Sequence, residues 1–116
     1  MVPSSIPVGV VEYLDRDGHS PYAAWFDGLN AQAATKVAAA STRMSLGNFS
    51  KVKGVGSGVY EYVIDFGPGY RIYFGKNGER LVILLGGGTK KRQQRDIRSA
   101  IELWEDYKHR KKEQEK

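Results

Sequence analysis

GVGSGVYEYVIDFGPGYRIYF, residues 54–74, holds two runs of alternating side chains around a Gly-Pro-Gly turn. A period of two is the signature of a β-strand, and so short a connection makes the two strands antiparallel. In the first strand Tyr60, Tyr62, Ile64 and Phe66 share one face, and Val59, Glu61, Val63 and Asp65 share the other. Tyr70, Ile72 and Phe74 continue the aromatic and aliphatic face in the second strand, leaving Arg71 and Tyr73 opposite. The apolar face is the expected core. Glu61 and Arg71 are expected as neighbours on the other face, which the helices leave uncovered.

Downstream, GKNGE leads into a further strand, so strands over 58–66, 70–74 and 81–85 form an antiparallel meander. Gly86-Gly87-Gly88 and the basic loop Thr89 to Arg92 follow, then a helix with Ile97, Ala100, Ile101, Trp104 and Tyr107 on one face. The tail over 108–116, KHRKKEQEK, is polar enough to fray. Upstream, Val8 to Leu14 is an opening strand closed by the turn sequence DRDG. Ser20 and Pro21 supply a cap and a first helical position for a short helix carrying Tyr22, Trp25, Phe26 and Leu29. Asn30 caps a second, alanine-rich helix with a stripe of Ala34, Val37, Ala38, Ser41, Met44 and Leu46, ended by Gly47. The fold class is α+β: an N-terminal strand, two helices, a β-meander and a C-terminal helix, in one domain over 1–116.

A chain of 116 residues with 41% apolar composition buries one core. Without cysteine there is no disulfide framework and no thiol nucleophile. The N-terminal stretch lacks a basic region followed by a long apolar run, and no segment has the ~20 apolar residues of a membrane span, so the expected location is cytoplasmic. The net charge of +5 favours a polyanionic partner. Arg71, Lys76, Arg80, Lys90, Lys91, Arg92 and Arg95 meet only Glu79 between positions 71 and 95.

A carboxylate and a guanidinium beside a basic loop suit cleavage of a phosphodiester. RNA cut by its own 2′-hydroxyl needs a base, a cation for the charged intermediate and an acid for the leaving oxygen. Glu61, Arg71 and Lys90 or Lys91 fill these roles with no metal or cofactor. Tyr73, on the Arg71 face, is placed to stack on a base. The triple glycine lacks the spacing of a phosphate-binding loop, His19 and His109 have no ligand partners, and Trp25 and Trp104 lie on core stripes.

Tyr22-x-x-Trp25-x-x-x-Leu29, Leu46-Gly47-Asn48-Phe49, Lys51-x-Lys53-x-Val55-Gly56-x-Gly58-Val59-Tyr60-Glu61, Asp65-Phe66-Gly67-Pro68-Gly69-Tyr70-Arg71-Ile72-Tyr73-Phe74 and Leu84-Leu85-Gly86-Gly87-Gly88-x-Lys90-x-x-Gln93-x-x-Asp96-Ile97 together resemble the HigB-like addiction module killer proteins of the RelE/ParE toxin superfamily. The resemblance implies a RelE/ParE-like fold and a type II toxin that cleaves mRNA on the translating ribosome and is neutralised by a small helix-turn-helix antitoxin. It places Arg71 against the scissile phosphate, Glu61 at a base position and Lys90, with Lys91, after the last strand. Lys51, Lys53, Arg92 and Arg95 would contact RNA or the ribosome. Related toxins commonly carry an arginine where this chain has Val63. A gyrase poison of the ParE type, and a non-toxic module that only binds an antitoxin, are the alternatives on the same fold.

Overall fold

The computed structural model describes residues 7–115; the opening residues read for a leader, and Lys116 of the tail, lie outside them. Strand β1 spans Gly9–Glu12, helix α1 Pro21–Asp27 and helix α2 Ala31–Ser45. Strands β2 (Val52–Gly56), β3 (Val59–Ile64), β4 (Tyr70–Lys76) and β5 (Leu81–Thr89) follow. A short 3₁₀ turn, Lys90–Arg92, then leads into α3, Gln93–Gln114. The class is α+β, with one five-stranded sheet in the order β1-β5-β4-β3-β2.

The helix starts follow local chemistry. Ser20 Oγ accepts the Ala23 N–H at 3.0 Å and Asn30 Oδ1 the Ala33 N–H at 2.9 Å, satisfying amides that a first turn leaves free. Gly47 closes α2 with a φ of 83°, where a side chain would be strained. The buried stripe of α2 is Ala33, Val37, Ala40 and Met44, one position away from the expected Ala34, Ala38 and Ser41. In an alanine-rich helix only Val37 and Met44 carry enough apolar area to fix the rotation, so neighbouring alanines are interchangeable to the eye. Leu46, beyond the last turn, is 65% exposed.

β2–β5 form an antiparallel meander, whereas β1 lies parallel to β5, making the sheet mixed. β2 is an additional strand that the alternation did not signal. It is a mostly exposed edge with a register shift between Gly54 and Gly56, and edges need no apolar period. β5 runs on through the triple glycine to Thr89, where a loop was expected. Gly87 is required there because a Cβ would stand 2.3 Å from the Trp25 ring.

The expected apolar face is the core against α1 and α2: Tyr62, Ile64, Tyr70, Ile72 and Phe74 pack with Val37, Ala40 and Met44. The opposite face is not open. α3 covers it, burying Val59, Tyr73, Ile83 and Leu85 beneath Ala100 and Trp104. Gly75 permits this close approach, since a Cβ there would lie 2.4 Å from the Trp104 ring. α3 continues helically through the expected frayed tail. Pairs between Glu105 and Lys108, Asp106 and Arg110, and Glu113 and His109 line its last turns, and Lys111 Nζ donates to Asn77 Oδ1 at 2.6 Å.

Candidate functional site

The β3–β4 register sets Glu61 opposite Tyr73 and Val63 opposite Arg71, so Glu61 and Arg71 meet diagonally. Arg71 Nε lies 3.9 Å from Glu61 Oε2, which places the two charges side by side as the alternation predicts. Their environment differs from the expected one. Under α3, Glu61 is 0% exposed and Arg71 7% exposed. Tyr73, expected to stack on a base, is buried at 1% exposure beneath α3 and offers no accessible ring.

Burying a carboxylate this completely requires partners. Lys53, directly opposite Glu61 across β2 and β3, holds Nζ 3.3 Å from Oε1 while most of its side chain stays in solvent. The Gln93 amide, in the first turn of α3, donates to both Glu61 oxygens at 3.1 and 3.0 Å. Gln93 belongs to the sequence pattern that carries the family resemblance, but it was assigned no site role there, because its contact with Glu61 depends on how α3 docks on the sheet.

Arg71 is steered by the Gly-Pro-Gly turn. Its Nη1 donates to the Gly69 carbonyl at 2.9 Å, and the Lys90 N–H donates to the same oxygen at 2.8 Å. Gly69 has φ 78°, and a Cβ on it would stand 3.0 Å from Arg71 Nη1 and 3.4 Å from Lys90 Cβ. One carbonyl thus ties the β3–β4 turn, the arginine and the basic loop together. Lys90, Lys91, Arg92 and Arg95 are all exposed around it. Lys51 stands apart. It lines a cleft of about 430 Å³ with Lys36, Arg43 and Asp65, beside the core-facing Tyr62 and Ile64.

Two further groups lie next to this cluster. The Tyr73 hydroxyl and Asp96 Oδ2 are buried without a hydrogen-bond partner among the described residues. Burial, and then the charges of Glu61 and Asp96, push the Tyr73 hydroxyl up, with Arg71 opposing. Burial also pushes the Asp96 carboxyl up, against the pull of Arg92 and Arg95. For a metal, the described residues offer Asp15, Asp17 and His19 within 4.8 Å of one another, in a surface loop remote from these residues in sequence. Asp15 Oδ1 there already accepts the N–H groups of Asp17 and His19.

No family model matches the chain. It is 44% identical over 71 residues to a protein of Haemophilus influenzae named only as an uncharacterized protein, a match spanning 61% of this chain and 72% of the other. The chain belongs to that protein's family. That relative's name carries no activity, and the Glu61 cluster with its basic rim is the feature of this chain that bears on function. Among the described residues, no helix is long and apolar enough to cross a membrane.

Proposed function

We propose that this chain has a RelE/ParE-like fold and is the toxin of a type II toxin–antitoxin pair, cutting mRNA on the ribosome without a metal. The observation that carries the reading is that Arg71 pairs with Glu61 beside Lys53 and shares the Gly69 carbonyl with the Lys90 loop. Such a cluster holds a phosphate between fixed cations, and a preorganised cation stabilises the extra charge of a five-coordinate phosphorus. In the cut, the 2′-hydroxyl attacks the adjacent phosphorus and its proton passes to Glu61 once the first turn of α3 lifts Gln93 from the carboxylate, which is otherwise fully buried. The P–O5′ bond breaks, leaving a 2′,3′-cyclic phosphate and a 5′-hydroxyl whose proton comes from Lys90 or Lys91. The exposed cations Lys53, Arg92 and Arg95 draw the RNA in by replacing its counterions. Its partner would be a small helix-turn-helix antitoxin.

A second reading is favoured by one observation: Glu61 is wholly buried and both its oxygens are taken by Gln93. In it the cluster is structural and the chain only binds its antitoxin. Mapping mRNA 5′-ends after induction separates the two. New in-frame ends that disappear in the surface variant Lys90→Ala/Lys91→Ala support the nuclease. Growth arrest with intact transcripts rejects it, and absence of both arrest and cleavage favours the binding module.

A further inference from the structure

The cleft of about 430 Å³ between α2 and the β2–β3 edge has a volume within the ~300–1,000 Å³ range of ligand sites. Three cations line it: Lys36 and Arg43 from α2, and Lys51 from the segment leading into β2. Seven residues along a helix are nearly two full turns, so Lys36 and Arg43 leave one face of α2 about 10 Å apart. All three cations are exposed, and among the described residues none of them forms an ion pair. Lys36 Nζ lies 5.4 Å from the centre of the Phe66 ring, which steadies it at the cleft wall. Asn48 Oδ1 accepts the Ser50 N–H at 3.1 Å, leaving the Asn48 amide N–H groups and the Ser50 hydroxyl as further donors on the lining. Asp65 is the one acid among them.

Donors in such excess select an anion, and a concave surface lined by one sign of charge concentrates its field. Asp65 narrows the choice. A glutamate or aspartate side chain answers the cations but leaves Asp65 facing a like charge. A phosphodiester of RNA answers both, because its phosphate oxygens accept from the cations and the neighbouring ribose 2′-hydroxyl can donate to the carboxylate.

The cleft also adjoins the place where a strand held at Arg71 would lie. Val63 lines the cleft and pairs with Arg71 across β3 and β4, and its N–H donates to the Lys51 carbonyl at 3.1 Å. Lys53, two residues beyond Lys51, is the cation on Glu61. A nucleic acid at the Glu61 cluster therefore has only to cross the β2–β3 edge to enter the cleft. We infer that the α2–β2 cleft is a phosphate subsite for single-stranded RNA, in which Lys36, Arg43 and Lys51 hold a phosphodiester flanking the one at Arg71 and Asp65 accepts from a ribose 2′-hydroxyl. The inference rests on RNA being the substrate at the Glu61 cluster.

The test uses the full chain and four probes: a single-stranded RNA octamer, a DNA octamer of matching sequence, inorganic phosphate and a polyglutamate peptide. In titrations followed by amide NMR, the RNA is expected to shift residues 48–51 and 63–66. Lys36→Ala/Arg43→Ala should weaken RNA binding tenfold or more. Each phosphate contact on a single strand adds about 0.7 to the slope of log K against log salt, so this variant should flatten the slope by about 1.4. Both positions are exposed in a helix, where alanine is the best helix former, so the thermal midpoint should not fall. Asp65→Ala should erase a severalfold preference of the parent for RNA over DNA. Unchanged RNA affinity and salt slope in the double variant, or equal binding of RNA and DNA by the parent, overturns the subsite. Polyglutamate that shifts these amides where RNA does not overturns it in favour of an acidic protein partner. Inorganic phosphate that RNA fails to displace overturns it in favour of the free ion. Mapping mRNA 5′-ends separates the idea from the nuclease reading. New ends, with RNA binding indifferent to Lys36 and Arg43, overturn the subsite and leave the nuclease. RNA binding that depends on both, with no new ends after induction, supports the subsite and rejects the nuclease.

Discussion

Replacing Arg71 with alanine removes a cation from beside a carboxylate that has no contact with solvent. At 3.9 Å, a pair of unit charges interacts by about 4 kcal/mol at an effective dielectric of ~20. Some of this is offset, because the guanidinium no longer has to be stripped of water. Lys53 and Gln93 remain on Glu61, but Lys53 lies largely in solvent and is screened accordingly. The net loss is about 3 kcal/mol, near the lower end of the ~3–5 kcal/mol found when one partner of a buried pair is removed. For a chain of this length that lowers the melting temperature by roughly 10 °C. Urea denaturation followed by circular dichroism measures it. Adding Glu61→Gln to Arg71→Ala should restore more than half of the loss, since no orphaned charge stays buried. An Arg71→Ala chain within about 0.5 kcal/mol of the parent, or a double variant as unstable as the single, would falsify the view of this cluster as a buried ion pair. The outcome bears on function too. Alternation alone put Arg71 on an uncovered face, and its burial means that loss of toxicity in Arg71→Ala must be read against stability.

Gly87→Ala sets a methyl against the Trp25 ring and should cost at least ~1–3 kcal/mol in urea denaturation, whereas Gly86→Ala, with nothing within 4 Å of the new Cβ, should stay within about 0.5 kcal/mol. Asp96 has its carboxyl pushed up by burial, so its ionisation opposes folding once pH rises above the unfolded value of about 3.9. Asp96→Asn should therefore raise the melting temperature at pH 7 and make no difference near pH 3; equal effects at both would refute the assignment. Asp106 is held low, first by the Tyr13 hydroxyl at 2.6 Å and then by Arg110. It stabilises the fold above the unfolded pKa and loses that contribution as pH falls through the depressed folded value. Tyr13→Phe should cost about 1 kcal/mol at pH 7 and progressively less on acidification, measured by melting curves across pH.

Period-two alternation made β3 and β4 legible, with their sorting into two faces, because each strand packs one apolar face on α1 and α2. Ser20, Asn30 and Gly47 announced their helix boundaries through cap chemistry that acts locally. β2 was illegible for the opposite reason: at an edge, Lys53 and Gly54 face solvent and need no apolar partner. The covered face was misread because Glu61 and Arg71 look like surface residues when taken singly. Their burial depends on Trp104 and Gln93, which lie far along the chain and reach the sheet only through the glycines at 58 and 75 and the basic turn. The neighbourhood of Glu61 and Arg71 was therefore predictable from register, while the helix above them was not. Asp96 is legible only as part of the family pattern, since its lack of a partner exists only in three dimensions.

The parallel pairing of β1 with β5 has a consequence for how the chain is made. Gly9–Glu12 leave the ribosome well before their partners Leu81–Leu84, which follow about seventy residues later. Closing a loop of that length is slow compared with forming the β3–β4 hairpin. The first strand must wait, through most of synthesis, with its hydrogen-bonding edge unpaired, and Val11 and Leu14 remain exposed even after it docks. A nascent chain stalled before residue 84 is thus an incomplete sheet seeking a strand, the stage at which it is most open to aggregation, to a chaperone or to any partner that offers one.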